Sequence, residues 1–246
     1  MQYVDLVNPW IPPELPESVV NLFMENGKIQ SVRRGYISHY ENTEPDPIVM
    51  VVSGVMSHAI INDELGKSTA ISLIPAKRMT GFSNFFTRVR MPTRAETMDK
   101  AELCSISYKK LLDLIIDSKQ AYMDFSKYKE RGNKADLYGM LTIMTQPVDE
   151  RLKMMFASIL LATGYKFQDL INTSFRYDYN KLREWTEVPF RLTRQNIAKI
   201  VYSSGITIDR HLAEWAKEGV LKREGPLYSV RPEKLISAYE WIVLRS

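Results

Sequence analysis

Cysteine is almost missing from this sequence, which has one, Cys104, among 246 residues. A single cysteine excludes an intrachain disulfide. Cys104 lies in a stretch where apolar residues alternate with polar ones, and a small buried hydrophobic residue is its expected role. The alternative is a redox-sensing thiol, which would need an exposed and electropositive setting.

Long apolar runs and catalytic motifs are missing too. No segment approaches the roughly 18 apolar residues that span a bilayer, and no charged-then-apolar signal opens the chain, so we expect a cytoplasmic protein without a membrane partner. The three histidines, His39, His58 and His211, are scattered without metal-ligand spacing, so we expect no metal and no cofactor. GxSxG, HExxH, Walker and GxGxxG motifs do not occur, and we expect no enzymatic activity.

The composition that remains is ordinary for a globular protein. Apolar residues make up 45% of the chain and charged residues 25%, with a formal net charge of +4. A chain of this length can bury a sizeable core and is expected to hold two domains.

The first half of the chain has the pattern of β structure. A short helix is predicted over 15–23, and from Lys28 to about Ile106 short β-rich runs alternate with turn signals. Ser53-Gly54 marks a break between strands, and residues 64–67 mark a hairpin turn. Many strands at short spacing indicate a sandwich or roll, with candidate strands over 29–32, 35–39, 48–52, 55–61, 68–74, 94–98 and 101–106.

From Tyr108 the apolar period becomes helical. A short helix carries Leu111, Leu112 and Ile115, and a long helix is predicted from Ser118 to Met144. Apolar residues recur along the long helix and form a candidate dimer interface, namely Tyr122, Phe125, Leu137, Met140, Leu141 and Met144. The alternative is that this stripe packs against the helix's own β-domain. Gly132 weakens the helix and could mark a kink or a break.

A third helix is predicted over 148–162, where Pro147 precedes a periodic apolar face. The connection that follows, 163–189, is rich in Tyr, Phe and Asn. It has the pattern for two small helices, near 167–171 and 181–185. A closing helix is predicted after Pro232.

The segment from Leu192 to Val230 predicts a winged helix-turn-helix. Thr193 suits the N-cap of a first helix, and Ser204 suits the N-cap of a second, on which Ile208, Leu212 and Trp215 share one face. His211 falls on the inner side of this second helix, where a core role is expected. Gly219 lies where a left-handed residue ends a helix. A hairpin with a turn at 224–226 would form the wing.

This segment concentrates positive charge. Residues 191–232 include eight Lys or Arg and four Asp or Glu, an excess equal to that of the whole chain. A second helix of this kind fits the major groove of DNA, where Arg210 is placed to contact guanine. The alternatives are a three-helix bundle with a solvated basic face, or one that docks an acidic protein. The candidate DNA-binding residues are Thr193, Arg194, Ser204, Gly205, Ile206, Thr207, Arg210, Lys222 and Arg223.

The order of a β-rich domain, a long helix and a winged helix resembles the Crp/Fnr family of bacterial transcription regulators. The likeness covers nearly the whole chain. It is sharpest at 106–110 with the short helix that follows, and from Leu192 to Gly219; the strand break at 52–55 adds weaker support. The resemblance implies an α+β protein with a β-roll (1–115), a dimerisation helix (116–146), a helical connection (147–190) and a winged helix-turn-helix (191–246).

The resemblance also implies a function. A homodimer would bind a palindromic site on double-stranded DNA, with RNA polymerase as a further partner, while the β-roll senses a signal. The iron–sulfur branch of the family is excluded, because one cysteine cannot ligate a cluster.

The sequence departs from the cyclic-nucleotide binders of the family. Their Gly-Glu pair becomes Gly81-Phe82, and their Arg-Ser or Arg-Thr pair aligns with Met91-Pro92. Without those groups nothing offsets the desolvation of the phosphate, so cyclic AMP is not expected to bind. A candidate effector loop remains in which Gly81, Phe82, Arg88, Arg90 and Arg94 either hold another anion or form a solvated basic loop.

The second helix also departs from the family. Gly205 and Ile206 stand where polar base-reading residues are common, whereas Arg210 matches the family's arginine. Direct readout is therefore expected to reduce to Arg210 and an apolar contact from Ile206, with DNA deformability contributing to specificity.

Overall fold

The computed structural model describes residues 6–62, 67–169, 171 and 184–245. The chain divides into two compact units. One comprises residues 11–137, which we call the N-terminal unit. The other comprises residues 6–10 together with 138–245, which we call the C-terminal unit.

The N-terminal unit is built on two four-stranded antiparallel sheets. One has the strand order β1-β8-β3-β6 and the other β2-β7-β4-β5. The strands are β1 (Lys28–Val32), β2 (Ile37–His39), β3 (Ile48–Ser53), β4 (Val55–Asn62), β5 (Lys67–Pro75), β6 (Arg78–Met79), β7 (Thr93–Thr97) and β8 (Ala101–Ile106).

Each predicted strand of the roll is present, within a few residues of its expected ends. The sequence missed only β6, whose two residues are too few to show alternation. The hairpin turn predicted at 64–67 falls largely on residues 63–66, which lie outside the described residues.

Three helices complete this unit: α1 (Glu17–Asn26), α2 (Tyr108–Asp117) and the first part of α3 (Lys119–Thr145). Ser107 caps α2, because its hydroxyl accepts a bond from the backbone N–H of Lys110. Apolar faces of all three helices enter one core, in which Phe23, Leu111 and Phe125 are fully buried.

Helix α3 runs without a break through Gly132. The glycine is explained by a close approach: a Cβ atom there would lie 2.5 Å from the Phe82 ring. The exposed apolar residues of the predicted dimer stripe are Tyr122, Leu137, Met140 and Met144. Phe125 corrects that prediction, because it is fully buried and packs against Phe85 and Tyr128 of its own unit.

The described part of the C-terminal unit contains helices and one three-stranded sheet of order β10-β11-β9. After α3 come α4 (Val148–Ala162), β9 (Thr186–Glu187), α5 (Arg194–Ile200), α6 (Gly205–Lys217), β10 (Leu221–Glu224), β11 (Leu227–Val230), a 3₁₀ turn (Pro232–Leu235) and α7 (Ile236–Val243). Of the two predicted small helices, residues 167–169 of the first are helical. Residues 181–183 of the second lie outside the described residues, and its last two residues, 184 and 185, are not helical because they lead directly into β9.

Candidate nucleic-acid interface

The first helix of the helix-turn-helix, α5, begins at a capping box. The Thr193 hydroxyl accepts the backbone N–H of Asn196 at 3.1 Å, and the Asn196 side chain accepts the backbone N–H of Thr193 at 3.0 Å. Two N–H groups that a helix start leaves unpaired are thereby satisfied. Ile197 and Ile200 then face the core with no exposed surface of note.

A tight turn joins α5 to α6. Tyr202 takes a left-handed conformation (φ 50°), and the N–H of Ser203 donates to the carbonyl of Ala198. Ser204 caps α6, because its hydroxyl accepts the N–H of Thr207 at 3.1 Å. The turn and both caps agree with the sequence prediction.

The second helix, α6, presents its predicted outer face to solvent. Ile208 and Trp215 are buried, whereas Arg210 is exposed and Ile206 is 84% exposed. Gly219 ends the segment with φ 67°, as expected for a left-handed residue after a helix. One face of the helix is therefore buried and the other is exposed to solvent, and Arg210 lies on the exposed face.

Arg194 is held by an ion pair that the sequence did not reveal. Its Nη1 lies 2.5 Å from Oδ2 of Asp209, and both side chains are about half exposed. A Cβ atom at Gly205 would meet Arg194 Nε at 3.4 Å, so the guanidinium lies against the start of α6. Asp209 thus places a carboxylate beside an arginine predicted to contact phosphate.

The wing is the hairpin of β10 and β11. Gly225 makes its turn with φ 63°, and its carbonyl accepts a bond from Arg223 Nε at 3.2 Å. Lys222 pairs with Glu224 at 2.7 Å and lies 4.9 Å from the ring centre of Trp185. No role at the wing was predicted for Trp185 from the sequence. Trp185 precedes β9, and β9 joins the wing through a long-range strand pairing that the sequence does not reveal.

Arg151 of α4 supports the turn from behind. Its Nη1 donates to the carbonyls of Val201 at 3.1 Å and Tyr202 at 3.3 Å, and its Nε donates to the carbonyl of Gln146 at 2.7 Å. The Trp215 indole is likewise tied to α4 by a 2.7 Å bond to Asp149. His211 lies between Asp149 and Glu214, and 17% of its side chain is exposed.

The candidate effector loop does not assemble a cationic site. Arg88 pairs with Glu44 at 2.5 Å, and Arg94 binds Glu41 through two contacts at 2.6 and 2.8 Å. The hydrogen bond from Arg94 lowers the pKa of Glu41 to about 2. Arg90 is exposed.

The cavity beside this loop is small. Its volume is about 20 Å³, which suits a single water molecule, and none of the three arginines lines it. Gly81 lines the cavity, whereas Phe82 is buried in the core. An anion held by Arg88, Arg90 and Arg94 together is therefore not supported by this geometry.

Cys104 is buried, and its thiol donates to the carbonyl of Phe23 at 3.2 Å. Burial raises the pKa of the thiol, which disfavours the reactive thiolate. Within the described residues, no group of three or more His, Cys, Asp or Glu is arranged to hold a metal ion. No helix in that part of the chain is long and apolar enough to cross a membrane.

Comparisons by sequence find no match, either to a protein-family model or to a curated protein. Comparison of structures finds FixK2 from Bradyrhizobium japonicum, with a TM-score of 0.68, 12% identity, and coverage of 87% of this chain and 96% of that one. A CooA mutant from Carboxydothermus hydrogenoformans matches with a TM-score of 0.65 and 15% identity, covering 93% of this chain and 95% of that one. A transcriptional regulator of the CRP/FNR family from Thermus thermophilus matches with a TM-score of 0.60 and 16% identity, covering 87% of this chain and 98% of that one. The chain therefore has the fold of Crp/Fnr regulators, as its motifs predict.

Proposed function

We propose that this protein is a cytoplasmic, sequence-specific DNA-binding transcription regulator that acts as a homodimer. The observation that carries the proposal is the exposed Arg210 on a helix whose opposite face is buried. A guanidinium in this position can reach a guanine edge when the helix enters the major groove.

The start of α6 supplies complementary contacts to the backbone of DNA. Ser204 is exposed, and Thr207 lies one turn into the helix beside it. Hydroxyl groups and the positive end of a helix dipole both suit phosphate oxygens. Ile206, the most exposed large apolar side chain of the helix, suits a thymine methyl group.

The homodimer is supported by helix α3. At 100° per residue, Tyr122, Leu137, Met140 and Met144 fall within one arc opposite the buried side of the helix. They are 44%, 57%, 39% and 83% exposed, respectively. A second copy of the same helix would remove this apolar surface from water.

Independence from cyclic AMP is supported by the cavity next to Gly81. The cavity volume of about 20 Å³ is far smaller than the volume of a nucleotide, and none of the described residues that line the cavity is an arginine. The bulky Phe82 replaces the carboxylate that the resemblance would require, and it is fixed against Gly132.

The test is to select bound fragments from random duplex DNA and to titrate the selected site at several salt concentrations. We expect two half-sites about 34 to 36 Å apart, which would report a two-fold symmetric dimer. Binding should weaken as salt rises, with a slope near −0.9 per neutralised phosphate.

Arg210→Ala should weaken the free energy of binding to the selected site by about 1 to 3 kcal/mol and relax the protein's preference for that sequence. The matched control is Arg90→Ala, which removes an exposed arginine from the N-terminal unit. It should leave both the affinity for the selected site and the sequence preference unchanged. Equal discrimination by Arg210→Ala and the parent protein would remove the base-reading role. No duplex binding at low salt would contradict the proposed function as a whole.

A further inference from the structure

Two histidines that are distant in sequence lie in one row of a sheet. In the sheet of order β2-β7-β4-β5, His39 of β2 and His58 of β4 are both paired with Ala95 of β7. Paired residues of adjacent strands project to the same face. The two histidines therefore flank Ala95 on one face, with their Cα atoms about two strand spacings, or roughly 9.6 Å, apart.

Ala95, the residue between them, has one of the smallest side chains and leaves room for a small cavity. His39, His58 and Ala95 all line the cavity of about 20 Å³. The other polar and sulfur-bearing residues of the cavity wall include Thr80, Asn84, Met91 and Thr93, and no charged side chain is among the described lining residues. The cavity thus has room for one water molecule or one ion.

The ring of His39 is oriented by hydroxyl groups on one side only. Its Nδ1 lies 3.1 Å from Ser38 Oγ and 3.4 Å from Thr80 Oγ1. Its Nε2 is buried and has no hydrogen-bond partner among the described residues. Hydrogen bonding at one ring nitrogen with the other left open is the arrangement of a metal-ligating histidine.

We propose that His39 and His58, together with the thioether of Met91, form a binding site for a single Cu(I) ion. Two imidazoles and a thioether are soft, uncharged ligands, which match Cu(I) better than hard cations. A monovalent ion also carries the smallest desolvation penalty into a site without a carboxylate. Met91 is 39% exposed, so the ion can enter beside it.

The site is tested by anaerobic titration of the whole protein with Cu(I) against a coloured chelator, with no DNA present. This inference goes beyond the proposed function, and its assay succeeds or fails independently of DNA binding. We expect one Cu(I) per chain. X-ray absorption of the complex should show nitrogen and sulfur ligands, the sulfur being absent in Met91→Leu.

His39→Asn and His58→Asn should each weaken Cu(I) binding by more than the roughly 10- to 100-fold typical of losing an outer partner of a ligand. The control, His211→Asn, removes the remaining histidine and should bind Cu(I) like the parent. Met91→Leu changes a half-exposed side chain, so its effect can be measured even if a histidine variant unfolds.

Three results would overturn the site: no Cu(I) bound by the folded parent, Cu(I) retained when both histidines are replaced, or a sulfur signal that persists in Met91→Leu. Preferential binding of Zn(II) over Cu(I) would overturn the choice of a soft monovalent ion.

Discussion

Arginines of the candidate effector loop and the arginine on the outer face of α6 differ in their charged partners. In the N-terminal unit, Arg88 and Arg94 are paired with Glu44 and Glu41. In the C-terminal unit, Arg210 is exposed and forms no ion pair with any described residue within 4.0 Å. These two basic regions thus differ in where the nearest carboxylates lie. Local charge density alone would not separate an anion-binding surface from a neutralised loop.

The largest expected effect concerns Asp136, the buried carboxyl of the N-terminal unit. It is 8% exposed and accepts a 2.5 Å bond from the Ser72 hydroxyl. Burial raises its pKa to about 7, although Ser72 opposes the shift. Between the unfolded pKa near 3.8 and about 7, the folded state holds a proton that the unfolded state has lost. The stabilising contribution is complete below pH 3.8 and is lost as pH rises through 7.

Asp136→Asn should remove this dependence, which amounts to at most about 4 kcal/mol between pH 4 and pH 8. Urea unfolding of parent and variant at a series of pH values measures it. The control is Asp113→Asn, which changes an exposed carboxylate of α2 and should keep the parental slope. The burial argument fails if the parent and Asp136→Asn have parallel pH profiles.

A second comparison uses one glycine from each unit. A Cβ at Gly132 would lie 2.5 Å from the Phe82 ring, whereas at Gly205 it would lie 3.4 Å from the flexible end of Arg194. Gly132→Ala should destabilise the protein by about 1 to 3 kcal/mol, because an aromatic ring in a packed core must shift. Gly205→Ala should cost little, because alanine favours helix and Arg194 can move. Thermal unfolding of both variants checks the order, and equal losses would contradict it.

The smallest expected effect is at Asp209. Its pair with Arg194 is about half exposed, so Asp209→Asn should change stability by less than about 1 kcal/mol. Binding to all duplexes should nevertheless tighten, and the salt dependence should steepen by up to about one phosphate, because Arg194 loses its competing carboxylate. Fluorescence anisotropy measures both quantities.

Glu218→Gln is the control for charge alone, since it removes a carboxylate just after the far end of the same helix. The role assigned to the ion pair would be refuted if the two variants had equal effects.

Local features of the helix-turn-helix could be predicted from the sequence. The Thr193 cap, the Ser204 cap and the left-handed Gly219 each depend on residues within one turn of the chain. Such short-range geometry is encoded by residue type and spacing. The strands of the roll could likewise be predicted from the alternation of apolar and polar residues.

Long-range partners could not be predicted. His39 and His58 are brought together through β7, which lies more than 30 residues further along the chain. The pairing of Arg94 with Glu41 and the burial of Phe125 likewise depend on strand order and packing. Periodicity gives the side of a helix that is apolar but not the neighbour that covers it.

Arg151, in α4, binds two parts of the C-terminal unit that are far apart in sequence. It donates to the residue just after α3 and to both carbonyls of the turn that seats α6. All of these bonds are made by one planar guanidinium group. The end of the long helix and the turn that precedes α6 are thus held by one side chain.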